Sequence, residues 1–191
     1  MSKSDTQPTR SINAGLVESA IRRHVDHRRN LLIPEATVRF ERPGQRGFDE
    51  YRADFMMVSG AGYGTELEVK VSIADWRKDL AKPKWMGMPA WITRFVYVVP
   101  EQLGIPAFVP AHAGVWHVRP AVTDPYHNPA LDVRRPDGYE IVLARAPHVL
   151  GREKVPPAVI GKWHRNLYYR YWDLRIHAEG RIPRQVREGV A

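Results

Sequence analysis

Asp54, Glu68 and Lys70 are the residues whose types and spacing can do chemistry. The stretch TELEVKVS, residues 65–72, alternates without a break: Glu66, Glu68 and Lys70 fall on one side of an extended chain, and Leu67, Val69 and Val71 on the other. Residues two apart in a strand share a face, about 6.5–7 Å from one another. Glu68 and Lys70 therefore point the same way. Asp54 precedes Glu68 by 14 residues, across SGAGYGT (59–65), whose three glycines can take positive φ and close a hairpin. Antiparallel pairing across that turn lays Asp54 beside Glu68. Two converging carboxylates suit a hard cation, Mg²⁺ or Mn²⁺. Such an ion polarises a phosphoryl oxygen and activates water. A lysine alongside orients the water and offsets the charge that builds in the transition state. Asp plus Glu-x-Lys is thus a minimal set for phosphodiester hydrolysis. Glu-x-Lys alone is common on solvated strand faces; the upstream aspartate in a hairpin is what adds specificity.

The neighbouring charges have plainer readings. Glu66 shares the Glu68 face but lies nearer the turn, and is expected to be an outward charge. Ser72 is expected to cap a helix, with Asp75 favouring its positive end. Lys78, Lys82 and Lys84, with Arg77 and Trp85, follow the candidate strand. They are expected to contact nucleic-acid phosphates, giving affinity without sequence reading; a solvated helix face is the alternative. His24 and His27 are three apart, but no His-Glu-x-x-His pattern accompanies them, so surface histidines are expected rather than a zinc site. Near the C-terminal end, KWHRNLYYRYWDLRIH (162–177) interleaves aromatic and basic residues. Aromatics can stack on unpaired bases while cations hold phosphates. Leu167, Tyr171 and Leu174, and Tyr168 with Trp172, also fall at helical spacing, and core packing of this helix is the reading preferred here.

The elements that must position these groups follow from periodicity. Residues 1–10 read as a flexible tail. Ile12, Leu16, Val17, Ala20, Ile21 and Val25 recur at helical spacing, predicting a helix from Ser11 to about Arg29, capped by Ser11 or Asn13. Pro34 is expected to end a connection. Strands are expected at 36–40, 51–58 and 66–71, then a helix from Ile73 to Ala81 that stops near Pro83. The continuously apolar TRFVYVV (93–99) suits a central strand. Shorter extended stretches follow at 114–118 and 139–144, separated by a Pro- and Asp-rich loop (120–138). A Pro-rich connector (151–157), a helix from Val159 to His177 and a basic tail complete the chain. The expected organisation is a tail (1–10), an α/β domain (11–150) and a connector with a helix packed on that domain (151–191).

Asp54 with Glu68-Val69-Lys70, on two hairpin strands between helices, resembles the PD-(D/E)XK nuclease superfamily. The longer run RADFMMV, then ELEVKVSIADWRKDLAKPKW, is similar to the MmcB-like DNA-repair nucleases, and the likeness spans about residues 12–118. The resemblance implies a restriction-endonuclease-like core, α-β-β-β-α-β, with a mixed sheet flanked by helices and here an extra C-terminal helix. It implies Asp54 and Glu68 as ligands of Mg²⁺ or Mn²⁺, Val69 as a third ligand through its backbone carbonyl, and Lys70 as the catalytic lysine. Glu18 matches a glutamate that many relatives carry on the first helix; an exposed helix charge is the other reading. Ala53 precedes Asp54 where the family usually has proline or a turn-forming residue. The implied activity is metal-dependent hydrolysis of DNA in repair or processing, with a non-catalytic nucleic-acid-binding module on the same fold as the alternative.

Bulk properties agree. The 191 residues carry 29 Lys and Arg against 21 Asp and Glu, a net charge of +8 that favours a polyanionic partner, nucleic acid first. No cysteine is present, which excludes disulfides, thiolate zinc sites and thiol nucleophiles. No apolar run approaches the roughly 18–20 residues of a membrane span, so no membrane partner is expected. The polar start MSKSDTQPTR lacks the apolar stretch of a secretion signal, and a cytoplasmic location is expected.

Overall fold

A computed structural model describes residues 12–41, 46–82, 85, 87–121 and 138–180. The chain forms two compact units, Met1–Lys154 and Val155–Ala191. In the first, helix α1 (Ala14–His24) precedes β1 (Asn30–Glu41), β2 (Phe48–Ser59), β3 (Gly64–Val69), helix α2 (Ile73–Asp79), β4 (Ile92–Pro100), β5 (Gly114–Pro120) and β6 (Tyr139–Arg145). The second holds α3 (Pro157–Gly180). The strands form one six-stranded sheet in sequential order, β1 to β6. β3–β4 and β4–β5 pair parallel, whereas β1–β2, β2–β3 and β5–β6 pair antiparallel. This is a mixed α/β fold.

The two faces of the sheet are covered by different helices. α1 buries Val17, Ala20 and Ile21 against Phe55, Leu67, Val69, Val96 and Val98. Trp76 of α2 packs with Phe95, Tyr97, Val99 and Val115, which alternate with the first set and therefore face the other way. β3 lies between two strands, with α1 packed on its Leu67 and Val69 side, and all six of its residues are buried.

Local signals explain most boundaries. Asn13 caps α1, its side chain accepting from the Leu16 N–H at 3.0 Å; Ser11 lies outside the described residues. The helix stops at His24 and not at Arg29. Asp26 supplies the reason: its side chain accepts from the Arg28 N–H at 3.0 Å and its carbonyl from the Asn30 N–H at 2.9 Å, a turn that competes with further helix. β1 is longer than 36–40 and contains Pro34, which sits opposite Phe55. Proline is tolerated there because β1 is an edge strand. The β2–β3 turn forms as expected, with Gly62 at φ 89° and the Gly62 N–H donating to the Ser59 carbonyl at 2.7 Å. Ser72 caps α2 through the Asp75 N–H at 3.1 Å.

α3 starts two residues before Val159 and runs three beyond His177. Within α3, Trp163 is buried. Tyr168, Tyr169, Tyr171, Trp172 and Leu174 are all exposed, and the rings touch one another edge to face. No helix among the described residues is long and apolar enough to cross a membrane. The two tails and most of the 120–138 loop fall outside the described residues.

Candidate active site

The β2–β3 register pairs Phe55 with Leu67 and Met56 with Glu66. One further step sets Asp54 opposite Glu68, on the face away from α1. Asp54 Oδ2 accepts from the Val69 N–H at 2.7 Å. β3 ends at Val69, but the Lys70 N–H still donates to the Val98 carbonyl at 3.2 Å, which holds the next residue in line. Lys70 Nζ then lies 2.8 Å from Glu68 Oε1, with both side chains buried. The hairpin thus brings Asp54, Glu68 and Lys70 together, with the Val69 main chain between them.

Two groups enlarge this cluster. Asp79, the last residue of α2, is wholly buried and lies 3.5 Å from Lys70 Nζ. Lys82, half-exposed, reaches Asp79 Oδ1 at 2.6 Å and Glu68 Oε1 at 3.0 Å. Tyr97, opposite Glu68 on β4, donates to Asp79 Oδ2 at 2.9 Å. The Trp85 indole N–H donates to the Asp79 carbonyl at 3.0 Å, tying the segment after α2 back to it. Of the expected phosphate-binding lysines, Lys82 joins the cluster. Lys78 is exposed and, among the described residues, makes none of these ion pairs. Lys84 lies outside the described residues.

Glu66 differs from expectation. It is fully buried, and its Oε2 accepts from the Tyr51 hydroxyl at 2.5 Å. Its position on a central strand overrides the exposure that nearness to a turn suggests. Glu18 is not brought to the cluster. α1 packs on the Leu67 and Val69 face, and Glu18 pairs with Arg22 at 2.8 Å on an exposed stretch of helix. The histidines do not form a chelating pair: His24 stacks edge to face on Trp116, while His27 Nε2 meets the Arg22 carbonyl at 2.6 Å. Burial lowers the His24 pKa.

The electrostatics leave room for a cation. Among the described residues, the carboxylates Asp54, Glu68 and Asp79 share this place with the ammonium groups of Lys70 and Lys82. Burial raises the Asp54 pKa, the Glu68 charge raises it further, and the Val69 N–H and the two lysines pull it back only in part. Burial works against the Lys82 ammonium, but its bonds to Asp79 and Glu68 outweigh that and raise its pKa. Burial and the Asp79 carboxylate push the Tyr97 pKa up, so its hydroxyl stays a donor; burial and Glu66 do the same to Tyr51.

Among the described residues, no three His, Asp or Glu side chains are grouped as a ready metal cage. The donor set here is Asp54 and Glu68. Mg²⁺ commonly takes one or two carboxylates and fills its remaining positions with water and substrate phosphate. The residues fit an ion of that kind and do not fit one that demands a full set of protein side chains.

Sequence reasoning missed Asp79, Tyr97 and Tyr51. The i, i+3 spacing of Asp79 and Lys82 was a usable signal for one ion pair. Nothing local announced that α2 returns Asp79 to the strand it follows.

No family model and no curated protein matches this chain. Among solved structures, the SPO1766 protein of unknown function from Silicibacter pomeroyi is similar, with a TM-score of 0.53 and 22% identity over 90% of this chain and 94% of that one. The likeness is one of fold and says nothing of activity.

Proposed function

We propose that the chain is a metal-dependent nuclease of the PD-(D/E)XK, restriction-endonuclease-like type, similar to the MmcB-like proteins and hydrolysing DNA phosphodiester bonds in repair or processing. The observation that carries this reading is the convergence of Asp54, Glu68 and Lys70 on one face at the end of β3, with Lys70 Nζ 2.8 Å from Glu68 Oε1. The element order α-β-β-β-α-β, with β2–β3 antiparallel and β3–β4 parallel, supports the same family core. In this reading Asp54 and Glu68 hold Mg²⁺ or Mn²⁺, and the Val69 carbonyl sits at the same place on the strand. When bound, the ion polarises the phosphoryl oxygen and lowers the pKa of water. Lys70, buried and already committed to Glu68, supplies a fixed positive charge where negative charge develops, at no cost of reorganisation. Lys82 supplies a second charge, toward solvent. The basic surface gathers the polyanion. A cytoplasmic location belongs to the same proposal.

Incubating the protein with single- and double-stranded DNA and Mg²⁺ or Mn²⁺ tests it. Cleavage is expected, and Lys70→Ala or Asp54→Asn should each lower the rate about 100-fold or more. Undiminished cleavage by the double variant would show that these residues are not the catalytic ones.

One observation favours a second reading, a nucleic-acid-binding module without catalysis. Glu68 Oε1 already receives two ammonium groups, at 2.8 and 3.0 Å, so the carboxylate is neutralised from within. That reading expects salt-sensitive DNA binding, no turnover and no heat on titration with Mn²⁺.

A further inference from the structure

We propose that Lys82 is a displaceable counter-ion of the site: it neutralises Glu68 while no divalent cation is present, and turns to a substrate phosphate once one is. The inference rests on the metal-dependent reading above and assigns Lys82 a part in coupling cation binding to DNA binding.

The two lysines on Glu68 differ in what holds them. The Lys70 side chain is 5% exposed, so withdrawing its ammonium from Glu68 leaves a buried charge with reduced compensation. The Lys82 side chain is 48% exposed, and its ammonium can leave Glu68 for water at small cost. Lys82 also has a second carboxylate to fall back on. Asp79 Oδ1 is the nearer of its partners, 2.6 Å against 3.0 Å for Glu68 Oε1. Asp79 is itself immobile: it is wholly buried, it ends α2, and its other oxygen takes the Tyr97 hydroxyl. Lys82 is thus pivoted on a fixed anion and rests its free side on an anion that a cation would claim.

A divalent cation on Glu68 and an ammonium 3.0 Å from the same oxygen repel strongly at so short a range in a partly buried site. Lys82 then keeps Asp79 and gives up Glu68, which frees donor capacity on its solvent side. An anionic phosphodiester is the chemistry that fits a freed ammonium beside a bound cation. Cation and DNA each remove a penalty on the other, so each tightens the other, and by the same factor.

Calorimetry with Mn²⁺ on the full chain without DNA, wild type against Lys82→Met, tests the first half. Loss of the competing ammonium should tighten Mn²⁺ binding, within the roughly 5- to 150-fold span of such couplings. Lys82→Gln, which keeps a donor for Asp79 and drops the charge, should do the same and guards against a folding defect in the first variant. Lys82→Arg should bind like wild type. The second half is read by fluorescence anisotropy of a labelled oligonucleotide with and without Ca²⁺. The cation should strengthen DNA binding by wild type, and by clearly less in Lys82→Met. Equal Mn²⁺ affinity in wild type and both neutral variants overturns this inference and leaves the nuclease reading standing, since Lys82 is then a structural ion pair. No Mn²⁺ heat in any of the proteins overturns the metal-dependent reading, and this inference with it.

Discussion

Asp54 is held in a place that suits an ion better than it suits the folded chain. Burial and the adjacent Glu68 raise its pKa above the ordinary 3.8. An acid with a raised folded-state pKa favours the fold most when protonated, at pH below 3.8, and that advantage is lost as pH climbs through the raised value. At neutral pH the ionised side chain is therefore a net cost. Asp54→Asn should stabilise the protein at pH 7 by about 0.5–2 kcal/mol, as substitutions that relieve a functional site often do, while lowering the cleavage rate proposed above. Urea unfolding at neutral pH and again below the ordinary carboxylate pKa measures this, and the gain should shrink at the acidic end. A variant less stable than wild type at neutral pH would mean that the charged bond to the Val69 N–H outweighs the burial. The pairing of Asp54 with Glu68 was legible because a hairpin and a period of two decide it over a separation of 14 residues. The buried Tyr51–Glu66 bond was not, since alternation assigns a face to Glu66 without saying whether that face is covered.

At the scale of elements, α2 does more than its length suggests. Seven residues are too few for a helix to stand alone in water. It is held by the Ser72 cap, by burial of Trp76 against Tyr97, and by Asp79 in the ion cluster. Ser72→Ala should lower stability by about 1 kcal/mol. Thermal unfolding reads that loss directly. Because α2 leads to Lys82, the ammonium that competes for Glu68 in the inference above, the same variant should also shift Mn²⁺ binding toward tighter affinity, although Ser72 makes none of the ion pairs. Unchanged binding would mean that the cluster holds its place without a well-formed first turn. The cap was legible from Ser72 and Asp75 at the spacing that places a side-chain oxygen on a free N–H. The early end of α1 was not, because Asp26 stops it through a turn that apolar periodicity does not register.

The molecule as a whole is basic, with a net charge of +8, yet its candidate site is locally acidic. In the function proposed above, that surface would gather the polyanion and the carboxylates would serve the cation. If DNA is the partner, a plot of log affinity against log salt should fall with a slope of about −0.9 for each phosphate neutralised, and Lys82→Met should reduce it by about one in the presence of Ca²⁺. Filter binding across a salt series checks it; an affinity indifferent to salt would remove the polyanion from consideration. In α3, helical spacing sets Leu167, Tyr171 and Leu174 on one face, and Tyr171 and Leu174 are exposed.

Taken alone, the chain of residues settles the local matters. It places a helix ahead of three strands, a glycine turn between β2 and β3, a capped helix after them, and Asp54, Glu68 and Lys70 on one face. Each of these depends on neighbours within a turn or a hairpin, where dihedral preference and alternation suffice. Tertiary structure decides the rest. The parallel β3–β4 register puts Tyr97 beside Glu68, and the return of α2 puts Asp79 between two lysines. The choice of sheet face for α1 withdraws Glu18 from the cluster. Those outcomes turn on which apolar surfaces cover which, and that free energy is shared across the core and written in no single stretch of chain.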